Sequence, residues 1–63
     1  MNEERRKRLR AARDEIEAVK EEEQEAYDNL PESLQTGERG DAMENNISML
    51  DEAIGSLNEI EGL

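Results

Sequence analysis

Leu9, Ala12, Ile16, Val19, Glu23, Ala26 and Leu30 recur at alternating steps of three and four residues. That spacing draws one stripe along an α-helix, the seam that a helix presents to a neighbour. Gly40, Met43, Ile47, Leu50, Ile54 and Leu57 repeat the pattern, with Ile60 and Glu61 sharing its last position. Pro31, the only proline, stands between the two stripes. Two seams separated by one break leave few folds open, and the simplest is an all-α, antiparallel two-helix hairpin.

Local signals set the expected boundaries. Most other residues of the first stripe are Glu, Arg, Lys, Ala or Gln, all good helix formers, and no Gly occurs before Gly37. Pro31 disfavours helical backbone at Leu30 and suits the start of a new turn, PESLQ. The expectation is a single domain over residues 1–63, with a first helix over about 3–29, an ordered connector over 30–36 and a second helix over about 37–61. Thr36 or Gly37 is the expected N-cap, Glu38 lies in the first turn where a carboxylate meets the helix dipole, and Gly62 closes the second helix. Antiparallel pairing across this connector makes partner numbers add to about 73, setting Val19 beside Ile54 and Ile16 beside Leu57. The first eight residues then overhang the second helix.

Each helix buries only one stripe, and Met49, Ala53 and Ile60 widen the apolar face of the second. A two-helix hairpin of 63 residues has a thin core, so dimerisation into a four-helix bundle, or docking on another protein, is expected. There is no Cys and no His, which excludes disulfides and thiolate or imidazole metal sites; no metal or cofactor is expected. Neither a membrane span nor the apolar centre of a signal peptide is present, and a cytoplasmic location is expected.

The net charge of -10 is unevenly placed. Residues 1–13 carry six Lys/Arg against Glu3 and Glu4, and the remainder carries Lys20 and Arg39 against sixteen acidic residues. Arg5, Arg6, Lys7, Arg8 and Arg10 form a basic arm able to meet phosphates. Neutralising nearby carboxylates is the plainer use of that arm, because the acidic body repels nucleic acid and no aromatic array is available for base stacking. Downstream, Glu15 and Glu22, Glu17, Glu21, Glu25 and Asp28, and Glu44, Asp51, Glu52 and Glu59 fall in rows along the helices. Such rows can imitate a phosphate backbone and occupy a basic groove, or simply keep the protein soluble.

Other features divide the same way. Glu23 interrupts the first seam opposite about Leu50; its side chain either reaches out to water at the seam edge or finds a partner, with Lys20 as the local candidate, and a polar seam residue most often specifies register or oligomeric state. Gly55 interrupts the second helix and either marks, with Ser48, Asp51 and Glu52, a place where another backbone approaches or is simply tolerated on a wet face. In the connector, Leu30 and Leu34 are expected to cap the core and Tyr27 to lie across it with its hydroxyl exposed. Gly40 admits close packing there, and Arg39 ties the turn to helix-one carboxylates. Its expected exposed edge is Tyr27, Asn29, Glu32 and Gln35. Paired carboxylates alone need a substrate cleft that two helices do not form, so enzymatic activity is not expected.

Residues 21–54, EEEQEAYDNLPESLQTGERGDAMENNISMLDEAI, resemble small acidic uncharacterised helical-hairpin proteins of phages, prophages and bacteria. Those proteins carry a similar E-x-x-A-aromatic-D-N-L-P-E-x-L run followed by E-R-G-x-x-M. The resemblance implies a phage-type accessory protein and brings no assigned chemistry; the basic N-terminal third lies outside it.

These readings converge on a non-catalytic protein-binding protein, a homodimer in which Glu15, Glu22, Asp51, Glu52, Gly55, Tyr27 and Glu32 form the protein-binding set. It would act as a DNA mimic, inhibiting a host nucleic-acid-handling or defence protein by occupying its basic surface. The alternative is a dimeric structural or nucleic-acid accessory module that uses the basic arm.

Overall fold

A computed structural model describes residues 1–60 and 62–63, which form three helices, α1 (Glu3–Asp28), α2 (Glu32–Gln35) and α3 (Glu38–Asn58). α1 packs lengthwise on α3, and α2 sits in the connector against the start of α3. The result is a helical hairpin shaped as a rod of 48 × 15 × 10 Å. Its radius of gyration is 14.7 Å, against about 11 Å for a compact chain of this length.

The ends of the helices follow local chemistry. Asn2 caps α1, its side-chain oxygen accepting the Arg5 backbone N–H at 2.9 Å, and Glu3 and Glu4 occupy the first turn. Pro31 is extended and immediately precedes α2, whose last turn is closed by Thr36 N–H donating to Glu32 O at 3.3 Å. Gly37 caps α3, with Glu38 and Asp41 in the first turn. α3 stops at Asn58, short of the expected position near 61, and Glu59 closes it. Gly62 takes a φ of 82°, the left-handed region open to glycine, and a Cβ there would lie 3.1 Å from Arg6 Nε. The terminal segment therefore turns back onto Arg6, and the overhang of α1 is shorter than the expected eight residues. Glu61, which was expected to share the last seam position, lies outside the described residues.

On α3 the seam is the expected one. Gly40 and Ile54 are buried, while Met43, Ile47, Leu50, Leu57 and Ile60 are half-buried. On α1 only alternate positions hold: Leu9, Ile16, Glu23 and Leu30 face inward, but Ala12, Val19 and Ala26 are exposed and Arg13, Lys20 and Tyr27 replace them. The helix is turned so that three long amphipathic side chains lay their stems on α3 and carry their polar tips to its edge. The pairing of Arg13 with Asn58, Lys20 with Asp51 and Tyr27 with Glu44 makes partner numbers add to 71, in place of the expected sum of about 73.

The connector also departs from expectation in detail. Leu34 is 42% exposed and does not cap the core. Gln35 does so instead, donating from Nε2 to Tyr27 O at 3.0 Å. Gly40 is buried beneath it, and a Cβ at that position would overlap the Gln35 carbonyl. Arg39 is exposed and, among the described residues, has no carboxylate within ion-pair distance. The turn is held by hydrogen bonds of the backbone, the Gln35 amide and the Thr36 hydroxyl.

Candidate functional site

The two long flanks of the hairpin differ in chemistry. On one flank Arg13 Nη1 donates to Asn58 Oδ1 at 3.0 Å, Lys20 Nζ to Asp51 Oδ1 at 2.7 Å, and Tyr27 Oη to Glu44 Oε1 at 2.5 Å. The donors advance by seven along α1 and the acceptors retreat by seven along α3, so the three bonds form a ladder in one line. The middle rung borders Ile54, which lines a shallow depression with Glu17, Lys20, Glu21 and Asp51. The Tyr27 hydroxyl, at the exposed edge, is thus engaged. Its pKa is raised above the ordinary 10.0, first by the hydrogen bond to Glu44, then by burial and by the negative charge of Glu44, Asp28 and Asp41.

The other flank has no such ladder among the described residues. Adjacent residues on a helix are turned by about 100°, so Ala12, Val19 and Ala26 lie across the seam from Arg13, Lys20 and Tyr27. All three are exposed, as are Met49 and Ala53 opposite them on α3. Val19 is 44% and Met49 59% exposed. Glu23 belongs to this flank, where it borders a shallow depression with Asn46, Met49 and Leu50. Lys20, its candidate partner, is drawn away to Asp51.

The residues expected to bind protein do not share one surface. Glu15 and Glu22 are exposed and border the open apolar flank at the step of seven that also relates Val19 to Ala12. Asp51 is on the ladder flank, held by Lys20 yet 67% exposed at its side chain. Glu52 and Gly55 are exposed, turned off the seam by helix phase; a Cβ on Gly55 would meet nothing within 4 Å. Glu32 is exposed in α2, and Tyr27 is half-buried. Of the acidic residues after Arg13, only Asp14 and Asp51 have a cation within ion-pair distance among the described residues.

The basic arm is helical and partly neutralised within itself. Glu3 accepts Arg10 at 2.8 Å and lies 3.7 Å from Arg6, and Glu4 lies 3.8 Å from Arg8. Arg5 and Lys7 are exposed and outside these pairs. Arg5 and Arg8 border a shallow depression with Met1 and Leu9, and Arg5 continues the Ala12, Val19, Ala26 row by one more step of seven.

Reasoning from hydrophobicity missed Arg13 and Asn58 and gave Lys20 and Glu44 other roles. The signal was in the sequence as a matched pair of series: long donors at every seventh residue from 13 to 27, and acceptors at every seventh residue from 58 to 44. Among the described residues no cluster of three or more acidic side chains is placed to hold a metal ion, and no helix is long and apolar enough to cross a membrane. No family model, curated protein or solved structure matches the chain.

Proposed function

We propose that this chain is a non-catalytic, cytoplasmic protein-binding protein of phage type, which dimerises into a four-helix bundle. It inhibits a host nucleic-acid-handling or defence protein by laying acidic helix faces on a basic surface. One observation carries this reading: beyond residue 14 the exposed carboxylates are almost wholly unpaired within the chain. Lys20 with Asp51 is the one later ion pair among the described residues. Charge left uncompensated at the surface attracts a basic partner and speeds its encounter.

The basic arm is the weaker candidate because Glu3 and Glu4 already engage three of its arginines. Immobilised protein should retain a protein partner from host lysate at low salt, release it as salt screens the pairing, and be indifferent to nuclease. Glu15→Lys with Glu22→Lys should abolish retention, whereas Lys7→Ala in the arm should not. Retention that disappears with nuclease, or with the arm variant alone, overturns the proposal in favour of a nucleic-acid accessory module.

A further inference from the structure

The open flank leaves this hairpin with more surface than a chain of its size sustains alone. A compact 7.2 kDa chain exposes about 4,100 Å², and this one exposes 4707 Å² with Ile54 as the single buried apolar side chain among the described residues. The surplus is not spread evenly. The ladder lines one flank; of the large exposed apolar side chains Met1 and Leu34 lie toward the two ends of the rod, while Val19 and Met49 lie on the other flank with the exposed Ala12, Ala26 and Ala53.

We infer that this flank is the self-association face, and that the second copy lies on it with its long axis reversed. This rests on the dimeric reading above and adds to it the face and the orientation. Size and charge both favour a second copy as the occupant. One face of a 48 × 15 Å rod offers a footprint on the order of 700 Å², close to the roughly 800 Å² per partner of a standard stable interface.

The charge along the rod selects the orientation. The end bearing residues 1–13 and 57–60 has six Lys/Arg against Glu3, Glu4 and Glu59. The connector end, residues 21–44, has Arg39 against nine acidic residues. Screening limits each charge to a reach of about 8 Å at physiological salt, far less than the rod's length, so only ends laid side by side interact. Aligned copies set the two acidic ends together, while reversed copies set each basic end against an acidic one.

Reversal about a two-fold axis stacks α1 on the partner's α1 and α3 on the partner's α3. Val19 then meets its own counterpart at the centre, Ala12 meets Ala26, and the protruding Met49 meets the small Ala53. Arg5 and Arg8 come beside the second copy's connector, near its Glu32. Aligned copies related by a two-fold axis would instead stack α1 on the other chain's α3, and Val19 would not meet Val19.

The chain has no cysteine, so single thiols can read this geometry directly. Light scattering first establishes the mass across a dilution series; a one-chain mass at every concentration ends both the dimeric reading and this one. Given a dimer, Val19→Cys should cross-link to itself on mild oxidation at least about tenfold faster than Glu52→Cys on the outer face, because the dimer presents the thiols at high effective concentration. A mixture of Ala12→Cys and Ala26→Cys chains should give the mixed product in preference to either self-product. Val19→Glu should weaken dimerisation by at least about a hundredfold, since it places two like charges in contact at the centre of the interface. A dimer with slow Val19→Cys cross-linking, or with preferred Ala12→Cys self-products, overturns the face and orientation while leaving dimerisation standing.

Discussion

Lys20 reaches across the seam to Asp51, with its Nζ 2.7 Å from Oδ1, instead of along its own helix to Glu23. This one choice of partner gives the two flanks their opposite characters. It makes the middle rung of the ladder, and it leaves Glu23 without its candidate cation beside Met49 and Leu50. The three rungs share one register, Arg13, Lys20 and Tyr27 each meeting an acceptor seven residues from the next.

The Lys20–Asp51 rung should be worth little by itself. Its side chains are 33% and 67% exposed, and exposed pairs couple by about 0.2–1 kcal/mol after screening. A double-mutant cycle with Lys20→Met and Asp51→Ala, followed by urea unfolding, should return a coupling in that range that shrinks in 1 M salt. Methionine keeps the stem on α3, so Lys20→Met alone should alter the melting temperature only slightly. A coupling that is large and indifferent to salt would count against this account of the ladder.

Two glycines of α3 should respond to alanine with opposite signs. At Gly40 a Cβ collides with the Gln35 backbone carbonyl, which no side-chain rotation relieves. Gly40→Ala should therefore cost about 1–3 kcal/mol and lower the melting temperature. Gly55 has open space at the same atom and is exposed. Gly55→Ala should stabilise by about 0.5–1 kcal/mol through helix propensity alone. Thermal melts of both variants at one protein concentration compare the signs directly.

Glu23→Leu should raise the melting temperature. The side chain is half-buried, stands in line with Ile16 and Leu30, and faces Leu50 and Met49. Leucine there adds apolar burial worth about 1 kcal/mol within the chain. On the open flank it should also shift self-association to lower concentration, seen by light scattering across a dilution series. A lowered melting temperature would show instead that the Glu23 carboxylate has a stabilising partner.

Tyr27 predicts a loss of stability in alkali. Its folded pKa lies above 10.0, chiefly because its hydroxyl donates to Glu44. The unfolded chain therefore ionises first, and the contribution of the bond is complete below about pH 10 and lost as pH rises through the folded pKa. Absorbance titration of the phenolate should place the wild-type midpoint above that of Glu44→Gln, which removes the carboxylate charge. Coincident midpoints would mean that the Tyr27–Glu44 bond does not persist in solution.

The residues that were legible in advance are those whose chemistry leaves little choice. Pro31 ends one helix and leads into the next turn, Gly37 caps α3, and the α3 seam from Gly40 to Ile60 is strongly apolar. Leu9, Ile16 and Leu30 likewise point inward wherever the partner lies. The other half of the α1 seam was misread because Ala12, Val19 and Ala26 are more apolar than Arg13, Lys20 and Tyr27, and hydrophobicity alone prefers them.

Sequence by itself thus determined two helices, the break between them, the complete α3 stripe and the uneven placing of charge, because propensity, backbone restriction and periodicity act within a single segment. Tertiary structure decided the rotation of α1, the register of the pair and which flank stays open. Those depend on what stands opposite, and only Asn58, Asp51 and Glu44 in one line on α3 make it favourable to lay an arginine, a lysine and a tyrosine along the seam while the alanines and Val19 face outward.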